Sequence, residues 1–205
     1  MPPPLVCFDL DLTLVDSTPA VAAVLTSAAR SLTLPVDVAA VVAGLGPALE
    51  DLLGAQLQPS QARRLARAYR DRYALEGPRH ARTLPGAHAA LRAVRTRHGA
   101  VMVVTGQRER TARAHLAHAR LDVDAVAGSV WGPEKTEILR ARGAFAYVGD
   151  HPADIAAAHA ADVWAVGVTS GRHDAADLAA ADAVLPSLTA FPNWWERVRP
   201  MPRRT

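Results

Sequence analysis

Lysine is almost missing from this chain: of 23 basic residues in 205, 22 are arginine and one is Lys135. The 20 acidic residues leave a formal charge of +3, so the pI near 9.6 reflects the high pKa of arginine more than an excess of positive charge. That near balance excludes reading the pI as a nucleic-acid footprint. Aromatic residues are scarce at 5%, too few for a base-stacking surface. A lone cysteine, Cys7, excludes an intrachain disulfide framework. No uncharged apolar run reaches the roughly 18 residues a membrane span needs. Residues 1–5 are proline-rich and lack the basic stretch and apolar run of a secretory signal, so the expectation is a cytoplasmic protein with neither membrane nor nucleic acid as partner.

What the chain does have is small aliphatic side chains. Half of its residues are hydrophobic and 43 are alanine, a composition that builds a core from closely packed helices. Short apolar runs recur at 5–8, 101–104, 123–127, 145–148 and 163–168, with a weaker one at 183–185, and helical stretches lie between them. This alternation predicts an α/β chain: a Rossmann-like parallel sheet with helices on both faces.

Between the first run and residue 101 the strand signal lapses and helix signals take over. Residues 17–30 open with Ser-Thr-Pro, a cap followed by a helix-compatible proline. Residues 60–76 place Ala62, Leu65, Ala66, Tyr69 and Tyr73 on one face and Arg63, Arg64, Arg67, Arg70 and Arg72 elsewhere. The expected organisation is a core of residues 1–16 and 84–205 interrupted by an α-helical domain at 17–83, with turn-prone segments at 16–19 and 77–86 as its boundaries. Residues 191–205, with Trp194, Trp195 and three prolines, read as a terminal packing segment with a basic end.

The first run ends in Asp9-Leu10-Asp11-Leu12-Thr13. In an extended segment residues i and i+2 point the same way, so Asp9 and Asp11 could present two carboxylates together; their repulsion is relieved by a divalent cation, and hard oxygen ligands suit Mg²⁺. A turn or helix cap after a buried strand accounts for the same residues equally well. The second run ends in Thr105-Gly106 before a helix, an arrangement suited to an anion and also to a plain cap. The fourth ends in Gly149-Asp150, with Asp154 in the first turn of a helix opened by Pro152. Lys135 falls early in a helix opened by Pro133, where the macrodipole disfavours a cation by roughly 0.3–1 kcal/mol unless an anion faces it.

Two acids after strand one, a Thr-Gly after a later strand, a lysine at a helix start and G-D-x-x-x-D make an ordered set. The set resembles the motifs of the haloacid dehalogenase superfamily of aspartate-nucleophile phosphotransferases: D-x-D-x-T, a strand-ending Ser/Thr, a lysine and G-D-x-x-x-D. A helical bundle inserted directly after the first motif is similar to the phosphoglycolate phosphatase and β-phosphoglucomutase branch. The resemblance implies a Mg²⁺-dependent phosphatase of a small phosphorylated metabolite, with Asp9 as nucleophile and Asp11 as general acid and base. It implies that Mg²⁺ is held by the Asp9 carboxylate, the Asp11 carbonyl and Asp150, with Asp154 in support. Thr105, the Gly106 amide and Lys135 would grip the phosphoryl oxygens, and the inserted helices would form a cap. Leu12 departs from the pattern, replacing a common glycine, as do Thr136 after the lysine and His151 after Asp150.

Asp11 argues against haloacid dehalogenation, which has no alkoxide to protonate, and the absence of lysine from the insert argues against Schiff-base chemistry. A sugar phosphomutase of the β-phosphoglucomutase type remains open, with Arg63, Arg64, Arg67, Arg79 and Arg82 as candidate cap contacts. So does a non-catalytic, arginine-rich binding protein. His115 and His118 read as surface or partly packed, Trp131 and Trp164 as packing residues, and residues 44–47 as a turn facing substrate by family analogy.

Overall fold

The short apolar runs have no polar face, so both faces of each must be covered, which is the condition of a strand inside a parallel sheet. The computed structural model describes residues 3–45 and 48–198. Its strands are β1 (Leu5–Phe8), β2 (Val15–Asp16), β3 (Arg82–Thr83), β4 (Ala100–Val104), β5 (Ala125–Ala127), β6 (Ala144–Gly149), β7 (Trp164–Val168) and β8 (Ala183–Leu185). Six of them form one sheet in the order β5-β4-β1-β6-β7-β8, parallel throughout, while β2 and β3 make a second, two-stranded sheet. The first helices are α1 (Thr18–Ser31), α2 (Val38–Ala43), α3 (Leu49–Gly54) and α4 (Pro59–Glu76). They are followed by α5 (Ala87–Thr96), α6 (Glu109–His118), α7 (Pro133–Ala141), α8 (Pro152–Ala160) and α9 (Phe191–Arg197).

The chain divides into two compact units, Met1–Asp16 with Thr83–Thr205, and Ser17–Arg82. In the first, alternation along the strands feeds two separate cores. Val6 and Phe8 of β1 join Val101, Val103, Val148 and Val166 against Leu91 and Val94 of α5 and Phe191 and Trp195 of α9. Cys7 points the other way, with Met102, Tyr147 and Ala165, against Leu139 of α7 and Ile155 and Ala158 of α8. Burial pushes the Cys7 thiol up to about 12, so it packs as a small apolar group.

The fifth-strand run is shorter than its apolar stretch because Asp124 turns the chain. Its carboxylate accepts from the Val101 amide at 2.7 Å and from Arg95 at 3.2 Å, leaving only Ala125–Ala127 in the ladder. At the other end, Arg97 donates to the Val198 carbonyl at 3.0 Å and to the Trp195 carbonyl, and lies 5.1 Å from the Trp195 ring centroid. The C-terminal segment therefore packs as expected through residue 198, and its basic end at 199–205 lies outside the described residues.

In the helical unit, Ala62, Leu65 and Ala66 of α4 pack with Leu25 and Ala28 of α1 and Leu53 of α3. Two arginines of α4 bond inside this unit, Arg70 to Glu50 at 2.5 Å and Arg72 to Ser27 and Ser31 at 3.1 and 2.9 Å. Gly46 and Pro47 of the expected substrate-facing turn lie outside the described residues. Among the described residues no helix is long and apolar enough to cross a membrane.

Candidate active site

The strand order positions the site. From β1 the chain builds outward to β4 and β5, then returns to the other side of β1 for β6, β7 and β8. The winding reverses at β1, and in an open parallel sheet a crevice forms beyond the carboxyl ends of the strands at such a reversal. Asp9 follows β1, Thr105 and Gly106 follow β4, and Asp150 follows β6. Lys135 and Asp154 enter from the first turns of α7 and α8.

Three carboxylates and one ammonium meet there. Among the described residues, Asp9, Asp150 and Asp154 form the one group of three or more potential metal ligands, each offering an oxygen within 4.8 Å of the others. Lys135 Nζ donates to Asp9 Oδ1 at 3.2 Å and to Asp154 Oδ1 at 2.7 Å. Burial pushes the Asp9 carboxyl well above its ordinary value, the Asp154 charge pushes the same way, and Lys135 opposes both. For Asp150, burial and then Asp154 raise the carboxyl to about 6, against a hydrogen bond from Thr13 Oγ1 at 3.1 Å. Burial alone would lower Lys135, but the Asp9 and Asp154 carboxylates hold it above its ordinary value. This sink of negative charge offsets the unfavourable dipole of α7 and accounts for a cation in its first turn.

The Asp11 side chain is not in that group. β1 ends at Phe8, so the period-two relation that would pair Asp11 with Asp9 no longer holds, and Leu12 turns the chain at φ +58°. That left-handed backbone explains why a glycine suits position 12. Both Asp11 carboxylate oxygens instead accept from Gln107 Nε2, at 2.7 and 2.9 Å.

Thr105 is buried, and its Oγ1 accepts from the Gln107 amide at 3.2 Å. Gly106 lies under the outer edge of the Trp131 indole, so a Cβ there would make that exposed ring shift. Trp131 itself is 67% exposed, which corrects its reading as a packing residue; it sits at the surface against a glycine that offers no side chain to cover it. His115 departs in the opposite direction. It is 1% exposed within α6, and burial followed by the His118 charge lowers it to about 4.

Four supporting residues escaped the sequence reading of the site. Thr13 belongs to the first motif, yet its bond to Asp150 is 137 positions away in sequence. Tyr147 lies within β6, where its hydroxyl is 3.2 Å from Asp154 Oδ1 and 3.0 Å from the Val104 carbonyl. Gly171 has no room for a Cβ, which would overlap the Asp150 carboxylate. Gln107, directly after Thr105-Gly106, carries a local signal as well: a long amide two residues beyond a strand-ending hydroxyl.

A model of the haloacid dehalogenase-like hydrolase family matches residues 3–162. No curated protein matches the chain by sequence. Among solved structures, a Clostridium difficile protein named provisionally as a phosphatase is similar at a TM-score of 0.82 and 18% identity, covering 93% of this chain and 97% of its own. A predicted phosphoglycolate phosphatase from Haemophilus somnus gives 0.75 at 23% identity, covering 93% and 96%. A Thermotoga maritima protein named provisionally as a β-phosphoglucomutase gives 0.73 at 19% identity, covering 96% and 100%.

Proposed function

The chain belongs to the haloacid dehalogenase-like hydrolases, and from that premise we propose that it is a Mg²⁺-dependent phosphatase of a small phosphorylated metabolite, working through an aspartyl-phosphate on Asp9. The observation that carries this reading is the meeting of Asp9, Asp150 and Asp154 around one buried ammonium, Lys135, at the point where the sheet reverses. Three buried carboxylates against one fixed cation leave negative charge in excess, and the all-oxygen donor set fits a hard divalent ion. Asp9, Asp150 and Asp154 would hold Mg²⁺, with the Asp11 carbonyl as a further oxygen. The ion supplies charge neutralisation between an anionic nucleophile and an anionic phosphate.

Asp9 Oδ attacks phosphorus as the ester P–O bond breaks, and the leaving oxygen keeps the electron pair and takes a proton from the Asp11 carboxyl. Water then attacks the phosphorus and gives a proton to the Asp11 carboxylate, while the Asp9 O–P bond breaks with its pair returning to Asp9. Thr105 Oγ1 already accepts from Gln107, so its hydroxyl hydrogen is directed elsewhere, toward a phosphoryl oxygen in this reading. The Gly106 amide and Lys135 grip the same group. The helical insert, expected at residues 17–83, is the cap of the family in this reading.

Inorganic phosphate release from p-nitrophenyl phosphate, with and without Mg²⁺, tests the class. Turnover is expected only with the ion, and Asp9→Asn is expected to remove it; undiminished turnover in Asp9→Asn overturns the assignment. A panel of phosphoglycolate, sugar phosphates and nucleotides then names the substrate, and conversion of a sugar 1-phosphate without phosphate release would instead indicate a mutase.

A further inference from the structure

Gln107 is not among the residues that the motifs single out, yet its side-chain amide bonds to both carboxylate oxygens of Asp11. Its Nε2 lies 2.7 and 2.9 Å from the two carboxylate oxygens. Its own backbone is pinned on both sides: the amide donates to Thr105 Oγ1 at 3.2 Å, and the carbonyl accepts from the Ser129 amide at 2.7 Å. Gly128 is packed so tightly on this turn that a Cβ would overlap the Glu109 backbone and crowd the Gln107 carbonyl. The amide is therefore presented from a rigid base, not from a mobile surface side chain. Its Oε1 is buried and has no hydrogen-bond partner among the described residues.

We propose that Gln107 is a positioning residue for Asp11: it holds that carboxyl apart from the Asp9, Asp150 and Asp154 group and keeps it oriented for proton transfer. This rests on the phosphatase reading above. A glutamine suits the task because a side-chain amide carries both a donor and an acceptor. Here Nε2 reaches both oxygens of the Asp11 carboxylate at once, at 2.7 and 2.9 Å, which fixes the plane in which that carboxylate lies. Loss of the two Nε2 bonds would relax the orientation of the Asp11 carboxylate, and proton delivery to the leaving oxygen would lose part of its geometry.

The test uses the full-length protein and a series of substituted phenyl phosphates whose leaving phenols range from acidic (p-nitrophenol) to weakly acidic (phenol, p-methoxyphenol). Gln107→Met keeps the length of the side chain and removes both polar groups; Gln107→Glu keeps the shape and replaces the donor with a like charge. General acid help matters most when the leaving oxygen is a poor one, and it contributes about 10²–10⁴-fold in all. In both variants kcat/KM is expected to fall no more than about threefold for p-nitrophenyl phosphate and about tenfold or more for phenyl phosphate, so that the dependence on phenol acidity steepens. The rise in melting temperature on adding Mg²⁺ is expected to match the parent protein, since Gln107 touches none of the three clustered carboxylates. An equal loss across the series, or no loss at all, overturns the positioning role while leaving the phosphatase reading standing. A parent protein that releases no phosphate from any member, or an Asp9→Asn variant that still does, overturns both.

Discussion

Lys135 Nζ lies 2.7 Å from Asp154 Oδ1, closer than its 3.2 Å to Asp9 Oδ1, so the only lysine of the chain is bonded first to an acid on the neighbouring helix. The aromatic ring of Tyr147 closes the same pocket, with its centroid 5.5 Å from the ammonium. Lys135 thus ties α7 to α8 as well as facing Asp9, and among the described residues it is the positive charge that Asp9 and Asp154 share.

Lys135→Met is accordingly expected to damage both stability and activity. Removing one partner of a buried ion pair costs about 3–5 kcal/mol because the remaining charge is left uncompensated. In a chain of this size that corresponds to a melting temperature lower by roughly 10 °C, measurable by differential scanning fluorimetry. Phosphate release is expected to fall by about 10²-fold or more, as when a fixed charge stabiliser is removed. Lys135→Arg is expected to recover little, because a planar fork does not fill the place of a compact ammonium. An unchanged melting temperature in Lys135→Met would falsify the structural half of this statement.

Gly171→Ala probes Asp150 without touching it chemically. The added Cβ would overlap the Asp150 carboxylate, so that carboxylate must move. The Mg²⁺ concentration giving half-maximal phosphate release is expected to rise by about tenfold, the scale seen when support around a metal ligand is disturbed. Circular dichroism should show the fold retained. Equal Mg²⁺ requirements in parent and variant would show that Asp150 is not a ligand, or that it tolerates displacement.

Asp150 also sets a pH dependence. Its carboxyl is raised from 3.8 to about 6 in the fold, by burial first and then by the Asp154 charge. A group whose folded pKa lies above its unfolded one stabilises the protein fully below the unfolded value and loses that contribution as pH climbs through the folded one. In chelator-treated protein, this site's contribution is therefore expected to decline between about pH 4 and pH 6. Mg²⁺ competes with the same proton, so the stabilisation it adds is expected to grow over that interval. Melting curves at pH 4.5, 5.5 and 6.5, with EDTA or excess Mg²⁺, test both trends. In Asp150→Asn the EDTA curves should lose this component.

Gly86→Ala tests the framework behind the site. Gly86 precedes α5 at φ +88°, and a Cβ there would overlap the Leu188–Thr189 backbone. Left-handed strain and overlap with main chain together are expected to cost about 3 kcal/mol, seen as a lower urea midpoint with an unchanged m-value. Gly143→Ala is the comparison: its φ is +60° but nothing lies within 4 Å of the added carbon, so only the strain remains and a smaller loss, about 1 kcal/mol, is expected.

Most of the fold was legible along the chain. The runs at 5–8 and 183–185 coincide with β1 and β8, and Pro133 and Pro152 open α7 and α8 as expected. Period-two burial, strand-breaking ends and a proline at the first helical turn are local properties, set within a few residues, so a one-dimensional reading captures them. The side chains that gather at the site could likewise be picked out: Asp9, Lys135, Asp150 and Asp154 stand at strand ends and helix starts, where a parallel sheet collects whatever its loops carry.

Other features depended on contacts that span the sequence. Asp11 turns to Gln107, 96 positions away, because β1 stops at Phe8 and Leu12 reverses the chain, so the two acids of one motif part company. Trp131 is exposed and His115 buried, against expectation, because burial depends on what packs over a side chain and not on its own polarity. By itself the sequence determined which groups with reactive chemistry lie at the ends of which elements, since spacing and local conformation are short-range. Only the tertiary structure decided which carboxylate shares the ammonium, which one takes the amide and where a glycine leaves no room, because those outcomes depend on distances between segments about 20 to 140 residues apart.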